Sequence, residues 1–558
     1  MFWQRTVVAC LAVFALGYSL GGRGLNEPDE GRFAEIGREM AASGDWLVPR
    51  LNGVMHLSKP PLTYWLIGAS IKLFGPTEFA ARLPAALAAL GTLAAVYLMA
   101  RGAFGEAEGL LTVLVLLTCP LFFVIARLIT TDMLLTCWVT WSVWALWNWH
   151  DAPEGARWRL PGFYVFLGLG MLTKGPVAVV LPLLALVGLR WGHPGMRLGA
   201  MAWGRGLLLM MAIAAPWFIA VAGTDVAIWK YFLGREMVGR VLTTVHGRSE
   251  PWWFFGPVLA GAVLFWLPWL VMLPACWRQL EERERRLARM CLGWAGLGLL
   301  LFSVSRSKLA TYALPLCPPL ALLVVLVLRQ GARQLTPQSS GWVRGAMEVS
   351  LGLTLAVAVA LIVVLPRRFS MEYSTVLPLV ILTPLFAGLA RWQLKRRHLL
   401  ATAAVMAVGL LGNYLALAAG ASRVENQLSG AAPVKTLAER INVEDPHRTA
   451  PVVSYRVLPP GLPFYLQRPV IWYVPPADSE SRGGAAGVFE YRSPQSESAT
   501  VMTNAERFAA LFTNAPGLFC VARLGDAGEL TNHYRLVELA RTRRYGLWSP
   551  LKAAPLSP

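Results

Sequence analysis

Two acidic residues near the start of the sequence stand where a carboxylate could take part in catalysis. Asp29 and Glu30 follow Pro28, which suits the first turn of a helix, and apolar residues then recur at helical spacing. These apolar residues are Phe33, Ile36 and Met40. We therefore predict a short helix that lies on a membrane surface by its apolar side. Asp29 could orient or deprotonate an acceptor there, or both acids could only complement the helix dipole.

A lysine follows in the same polar stretch. Lys59 stands immediately before Pro60 and Pro61, which predict the start of another helix. Since the unpaired amides at a helix N-terminus bind anions, Lys59 and this helix start are candidates for a phosphate site. The alternative is a lysine that extends along apolar surface to the membrane interface without binding a ligand.

Further charged residues are predicted to lie on the same side of the membrane. Asp132 begins a later apolar helix, Lys308 and Tyr312 lie in one short turn, and Arg235 and Arg240 lie in a longer loop. For Asp132 the alternative is again a partner of the helix dipole. Cations that converge with two carboxylates could stabilise a departing phosphate, as transfer from a phosphate-linked donor requires.

The elements that would hold these residues are membrane helices. Of 558 residues, 56% are hydrophobic and only 15% are charged, with a mean hydropathy of +0.50, whereas soluble domains are about 25% charged. We count about thirteen apolar stretches of the length that a bilayer-spanning helix needs. They run near 4–22, 80–100, 107–125, 133–149, 160–172, 176–191, 206–222, 255–276, 290–304, 311–328, 347–365, 374–390 and 399–420. The first is interpreted as a retained helix, since residues 21–24 make a poor signal-peptide cleavage site.

Basic residues predict the topology. The chain has 51 Lys and Arg against 32 Asp and Glu, a formal net charge of +19. With the N-terminus in the cytoplasm, five successive cytoplasmic loops hold basic residues, in agreement with the positive-inside rule. These residues are Arg157 and Arg159, Arg190 and Arg197, the cluster from Arg278 to Arg289, Arg329 and Arg333, and Lys395 with Arg396 and Arg397.

The opposite, periplasmic side of an inner membrane then carries the candidate residues. It holds the first loop, the 223–252 loop, residues 305–308 and the chain after about residue 420. Nucleic acid is excluded as a partner, because no basic run outside the membrane segments is interleaved with stacking aromatic residues. Membrane lipids explain the positive charge instead.

The tail of the chain changes character after about residue 420. Polar residues return, and β-rich runs at 451–455 and 470–474 alternate with helical patterns, which predicts a small soluble α/β domain. The predicted domains are thus a transmembrane domain over 1–420, with a catalytic first loop over 23–80, and a periplasmic α/β domain over 421–558. Nothing in the tail resembles catalytic machinery, so its role stays open.

Five motifs occur in the order typical of one enzyme group. They are P-D-E-x-R-F at 28–33, S-G-D-W-L-V-P-R-L-N-G at 43–53, K-P-P-L-x-Y-W at 59–65, T-D at 131–132 and S-x-S-x-x-K-L-x-T-Y-x-L-P at 303–315. With these motifs the chain resembles the GT-C superfamily of lipid-linked glycosyltransferases. It is most similar there to the lipid A 4-amino-4-deoxy-L-arabinose transferases, which are related to the protein O-mannosyltransferases. The likeness covers most of the chain and implies thirteen membrane helices followed by a periplasmic domain.

The resemblance also implies roles for individual residues. Asp29 would be the main catalytic carboxylate and Asp132 a supporting one. Contacts to the carrier phosphate would come from Lys59, Arg240, Lys308 and Tyr312, and possible supporting residues are Glu30, Arg32, Phe33 and Arg235. Phe33 stands where relatives often have a tyrosine, so a phenolic contact would be missing.

Two positions depart from the pattern of these relatives. Relatives commonly carry an acidic residue just before the lysine and a histidine near 237, which together can hold a divalent metal. This chain has Ser58 and Met237 at those positions, so we expect neither a metal nor another cofactor.

The expected reaction is an inverting transfer of 4-amino-4-deoxy-L-arabinose from undecaprenyl phosphate to a lipid A phosphate by a monomer, a modification associated with polymyxin resistance. The alternatives are another sugar, or an acceptor that is a protein hydroxyl or a different surface glycan. A transporter of the lipid-linked sugar is a further alternative. Transporters place ionisable groups near the bilayer midplane and usually show internal repeats, whereas here the charges gather at one face.

Overall fold

The protein is described here from a computed structural model. The structure describes residues 2–151, 160–192, 195–196, 198–223, 250–334, 341–369, 372–428, 431–475, 500–502, 504–515 and 517–550. By packing, the chain forms two compact units. The first contains residues 1–20 and 84–420, and the second contains residues 21–83 and 421–558.

The first unit is helical. Its first ten helices are α1 (Phe2–Gly17), most of α4 (Glu78–Phe104), α5 (Glu106–Leu117), α6 (Pro120–Ile125), α7 (Thr131–His150), α8 (Leu160–Lys174), α9 (Val177–Gly192), α10 (Trp203–Ala222), α11 (Phe255–Ala262) and α12 (Leu267–Val271). The rest are α13 (Leu273–Cys276), α14 (Glu282–Leu292), α15 (Gly298–Val304), α16 (Cys317–Arg333), α17 (Gly341–Phe369), α18 (Tyr373–Lys395) and most of α19 (Leu399–Leu428). A π-helical turn, 293–297, joins α14 to α15, and a 3-10 segment, 310–316, precedes α16.

Seven helical segments of the described chain are long and apolar enough to cross a membrane. They are Glu78–Phe104, Leu198–Ala222, Glu282–Val304, Ala310–Arg333, Gly341–Phe369, Tyr373–Lys395 and Leu399–Gly420. All seven correspond to predicted stretches. The apolar helices α1, α8 and α9 are shorter and match three more. The total of about thirteen spans stays a prediction.

Two predicted stretches are broken into shorter helices. The stretch 107–125 divides into α5 and α6 because the Thr118 hydroxyl bonds back to the Leu114 carbonyl at 2.7 Å and Pro120 then starts a new helix. The stretch 255–276 divides into α11, α12 and α13, and Pro268 and Pro274 lie in the first turns of the last two.

Close helix packing in this unit depends on two glycines. A Cβ atom on Gly188 of α9 would lie 2.3 Å from the Arg289 carbonyl oxygen, and one on Gly293 would lie 2.6 Å from the Gly188 Cα atom. The two backbones therefore touch at a point where no larger residue fits. The segment Ala310–Arg333, which contains α16, is the most buried of the seven long apolar segments, with 89% of its most apolar stretch buried.

The second unit combines the first loop with the C-terminal region. The loop forms α2 (Asp29–Ser43), a hairpin of β1 (Arg50–Leu51) and β2 (Val54–Met55), and α3 (Leu62–Phe74). The C-terminal region forms α20 (Ala431–Glu444), β3 (Val452–Tyr455), α21 (Gly461–Leu466), β4 (Ile471–Tyr473), β5 (Val501–Met502) and α22 (Ala505–Asn514). It continues with β6 (Phe519–Arg523), α23 (Ala527–His533), β7 (Leu536–Arg541) and β8 (Tyr545–Pro550).

The C-terminal strands form one mixed sheet in the order β5-β4-β3-β6-β8-β7. The pairs among β5, β4, β3 and β6 are parallel, and β8 pairs antiparallel with both β6 and β7. Val453, Cys520 and Trp548 belong to its buried core. The predicted α/β character and the strands at 451–455 and 470–474 are confirmed.

The hairpin of the first loop is tied to this sheet. Asn52 and Gly53 both have positive φ angles, 53° and 76°, as a two-residue hairpin turn requires. The Asn52 amide nitrogen donates to the Val470 carbonyl at 2.7 Å, and the Val470 N–H donates to its amide oxygen at 2.9 Å. The Thr500 hydroxyl also donates to the Asn52 carbonyl at 2.6 Å. The buried Asn52 thus joins the loop to the starts of β4 and β5.

Candidate active site

Asp29 is the first residue of α2, as the sequence predicts. Its side chain is 55% exposed, and the Arg32 guanidinium one turn later donates a hydrogen bond to it. The same guanidinium lies 5.7 Å from the centre of the Phe33 ring. Asp29 is therefore oriented by a neighbouring cation yet accessible to a substrate.

Glu30 has a different environment from its neighbour. Its carboxylate is buried and accepts hydrogen bonds from the Arg82 guanidinium at 2.9 and 2.8 Å, and Arg23 lies at 3.4 Å. Burial by itself raises the pKa of the Glu30 carboxyl, but these two cations outweigh it and hold the pKa below its ordinary value. Because its oxygens are engaged by Arg82, Glu30 stabilises the start of α2.

Phe33 contributes packing. Its ring stacks on that of Tyr64 from α3, with the two centres 5.4 Å apart, and the side chain is buried. It thereby fixes α2 against α3 beside Asp29.

Lys59 precedes α3, whose N-terminal cap is Pro61, as predicted. Its ammonium donates to the carbonyl oxygen of Ser58 at 2.7 Å, and its side chain is half-buried. The Ser58 hydroxyl in turn lies 2.7 Å from the His56 Nε2 atom. A serine hydroxyl is a poor ligand for a divalent metal, so Ser58 offers no strong metal ligand at this position.

Asp132 lies in the first turn of α7 and is 5% exposed. The Lys174 ammonium, at the end of α8, forms an ion pair with its carboxylate and lies 4.5 Å from the centre of the Tyr312 ring. The structure therefore brings together two predicted residues, Asp132 and Tyr312, through a lysine that sequence reasoning missed.

Lys308 is buried, and its ammonium donates to the Glu250 carbonyl oxygen at 3.0 Å. Both residues line a mainly apolar open cavity of about 390 Å³. Its other lining residues are Trp252, Leu300, Ser303, Val304 and Arg306. The Trp252 and Val304 side chains are 77% and 80% exposed. An exposed apolar wall beside a lysine suits a lipid chain that carries a phosphate.

The chain is 33% identical over 447 residues to the undecaprenyl phosphate-α-4-amino-4-deoxy-L-arabinose arabinosyl transferase of Pseudomonas paraeruginosa, a match that covers 76% of this chain and 77% of that protein. The protein of the same name from Pseudomonas aeruginosa PAO1 is 33% identical over 416 residues, covering 71% of this chain and 72% of its own. The chain belongs to this family of arabinosyl transferases.

The fold agrees with this assignment to the arabinosyl transferase family. The crystal structure of ArnT from Cupriavidus metallidurans bound to undecaprenyl phosphate superposes with a TM-score of 0.81 at 26% identity, over 99% of both chains. A sequence profile of the dolichyl-phosphate-mannose-protein mannosyltransferases matches residues 58–219. The predicted helical, multi-pass GT-C membrane fold and the glycosyltransferase activity are thus confirmed.

The candidate residues of this arabinosyl transferase form two groups, one in each compact unit. Asp29, Arg32 and Lys59 belong to the second unit, and Asp132 and Lys308 belong to the first. The predicted phosphate ligand Arg240 and the supporting Arg235 lie outside the described residues, as does Met237. Their roles, like those of the other candidates, stay predictions.

The missed Lys174 had a signal in the sequence. It is a lone cation at the end of an apolar run, in the segment L-T-K-G-P at 172–176, on the side where Asp132 was already placed. An ionisable residue at such a position is a functional candidate by default.

Proposed function

We propose that this chain transfers 4-amino-4-deoxy-L-arabinose from undecaprenyl phosphate to a phosphate group of lipid A. The observation that carries the proposal is its 33% identity, over about three quarters of both chains, to transferases named for that donor. The structural likeness to a protein bound to undecaprenyl phosphate supports the same carrier.

The donor chemistry fits the cavity beside Lys308. Each buried methylene of an isoprenoid contributes about 0.8 kcal/mol, so a polyprenyl chain favours an apolar wall that opens toward lipid. Trp252, Leu300 and Val304 offer such a wall, and Lys308 supplies a positive charge next to it.

The proposed mechanism is a single displacement. An acceptor oxygen attacks the anomeric carbon, the bond from that carbon to the phosphate oxygen breaks, and undecaprenyl phosphate leaves with the bonding electrons. Lys308, beside the apolar wall, stabilises the charge of the leaving phosphate. The sequence predicts the same role for Lys59, Arg240 and Tyr312. Because attack comes from the face opposite the phosphate, the anomeric configuration inverts.

The role of Asp29 depends on the acceptor. A lipid A phosphate is already anionic, so Asp29 positions the acceptor or counters positive charge that develops on the sugar. Arg32, paired with Asp29, offers a cation to such an acceptor. We infer that the enzyme works as a monomer without a metal, in the inner membrane, with its site and C-terminal region on the periplasmic side.

A second candidate acceptor is a hydroxyl group of a protein or another surface glycan. The match of residues 58–219 to protein mannosyltransferases favours it. In that reaction Asp29 would remove the proton of the attacking hydroxyl as a general base.

Mass spectrometry of lipid A from cells with and without the gene tests the proposal. We expect aminoarabinose on lipid A phosphates only when the gene is present, and an unchanged pattern of phosphate substituents contradicts lipid A as the acceptor. Purified protein in vesicles that moves intact donor across the bilayer without cleaving it would instead indicate a transporter.

A further inference from the structure

A second carboxyl lies beside Asp29 in a confined position. One oxygen of Glu27 accepts a hydrogen bond from the Gly461 N–H at 2.8 Å, at the start of α21. A Cβ atom on Gly31 or Gly461 would lie 2.6 or 2.3 Å from that oxygen. Two glycines thus provide the space in which the C-terminal region holds the Glu27 carboxyl.

Two more polar atoms belong to this group, one on Glu27 and one on Arg32. The second oxygen of Glu27, Oε2, and the Nε atom of Arg32 are both buried, and neither has a hydrogen-bond partner among the residues that the structure describes. Arg32 interacts electrostatically with Glu27, and its Nη2 atom binds Asp29. The Arg32 guanidinium is therefore hydrogen-bonded to Asp29 and attracts the Glu27 carboxyl only through space.

We propose that Glu27 is a positioning residue for the transfer reaction, which acts through Arg32: while protonated it leaves Arg32 on Asp29, and when it ionises it draws Arg32 away from Asp29 and slows transfer. This inference rests on the role of Asp29 in the proposed function. It also gives the C-terminal region a part in the reaction, through Gly461.

The electrostatic surroundings set the pH at which Glu27 changes state. Burial, opposed in part by the Gly461 N–H and Arg32, raises the pKa of Glu27 to about 8. The titratable and charged groups that face it are Asp29, Glu30 and Arg32 from α2, Tyr465 from α21 and Tyr545 from β8. The carboxyl is thus neutral in most molecules at pH 7 and ionised in most at pH 9.

The test is the pH profile of kcat for the full-length enzyme with undecaprenyl-linked donor and lipid A. One pH unit above the pKa only about a tenth of Glu27 stays protonated, so the wild-type rate at pH 9 falls about tenfold. E27Q, whose amide resembles the neutral carboxyl, should keep the wild-type rate at pH 7 and lose this alkaline decline.

E39Q is the matched control. Glu39 lies on α2, and its pKa is also raised to about 8. Its carboxylate, however, accepts hydrogen bonds from the Gly53 N–H, and Arg32 is not among the groups that shift its pKa. E39Q should therefore keep the alkaline decline of the wild-type enzyme. G461A, which displaces the Glu27 carboxyl, should lower kcat at every pH with little change in the KM for donor.

An active wild-type enzyme whose alkaline decline persists in E27Q contradicts the role of Glu27 and leaves the proposed function intact. Wild-type protein that transfers no aminoarabinose at any pH contradicts the proposed function. Melting temperatures then still test whether Glu27 is protonated in the folded protein. Between pH 6 and 9 the melting temperature of the wild-type protein should fall more than that of E27Q, and an equal fall in both proteins refutes a protonated Glu27.

Discussion

Lys174 forms an ion pair with Asp132 where α8 ends and α7 begins, and both side chains are almost fully buried. Removing one member of a buried pair leaves an uncompensated charge, which costs about 3–5 kcal/mol. The two residues therefore depend on each other, and the Lys174 ammonium also lies against the ring of Tyr312.

We expect K174M and D132N each to lower the melting temperature of the purified enzyme, and the double variant K174M/D132N to recover much of that loss. Activity should stay low in all three if the pair supports the reaction. Thermal unfolding in detergent and a transfer assay measure the two effects. A fully active double variant indicates that the pair is only structural.

D29N should lower kcat by about 100- to 1,000-fold, the loss expected when a group that counters charge in the transition state is removed. Because Asp29 is half-exposed at a helix start, the melting temperature should change little. D45N is the control, since Asp45 lies in the same loop and its Oδ1 atom accepts from backbone N–H groups, as an amide oxygen also can. Wild-type turnover in D29N would reduce Asp29 to a partner of the helix dipole.

K59A and K308A should each weaken binding of undecaprenyl phosphate about 10- to 100-fold, as the loss of a hydrogen bond to a charged group predicts. Titration of the lipid into purified protein measures this. K72A, which removes an exposed lysine from α3, should bind normally. Normal affinity in both K59A and K308A refutes the phosphate assignment.

Stability should depend on Glu39. Burial and the neighbouring Glu35 raise the pKa of Glu39 to about 8, so the folded protein holds this proton more tightly than the unfolded chain. The proton on Glu39 therefore contributes its full stabilisation of the folded protein below the ordinary pKa of a glutamate. This contribution is lost as the pH rises through about 8. The melting temperature should therefore decline over this range, less steeply in E39Q than in the control E439Q, which changes an exposed residue. Identical slopes argue against a protonated Glu39.

Chelation should leave the enzyme active. Ser58 and Met237 stand at the two positions where the family resemblance implies metal ligands, so treatment with EDTA should not change the transfer rate. A loss of activity that Zn²⁺ restores contradicts this proposal and points to ligands elsewhere in the chain.

Local sequence signals predicted the elements that carry the site. Pro28 and the pair Pro60 and Pro61 marked the starts of α2 and α3, because a proline is favoured at the beginning of a helix, where its missing N–H costs no hydrogen bond. Apolar length identified the long helices in the same way. These features depend only on neighbouring residues, which a sequence displays directly.

Pairings between distant residues could not be predicted in this way. The contact of Lys174 with Asp132 and that of Glu27 with Gly461 join residues 42 and 434 positions apart. Nothing local distinguishes Gly461 from other glycines, since its function is to leave space for a side chain that comes from the first loop. Likewise the first loop belongs to the same compact unit as the C-terminal region, a grouping that chain order conceals.

The bonds that fix the first loop join residues far apart in the chain. Asn52 pairs with Val470, 418 residues later, and the Leu25 N–H donates to the Tyr465 hydroxyl, 440 residues later. During translation the loop is made first, and these partners are made only after the seven long apolar segments of the described chain, the last of which ends at Gly420. A chain that stops before residue 465 therefore lacks both partners, so the first loop is fixed only after this part of the C-terminal region has been synthesised.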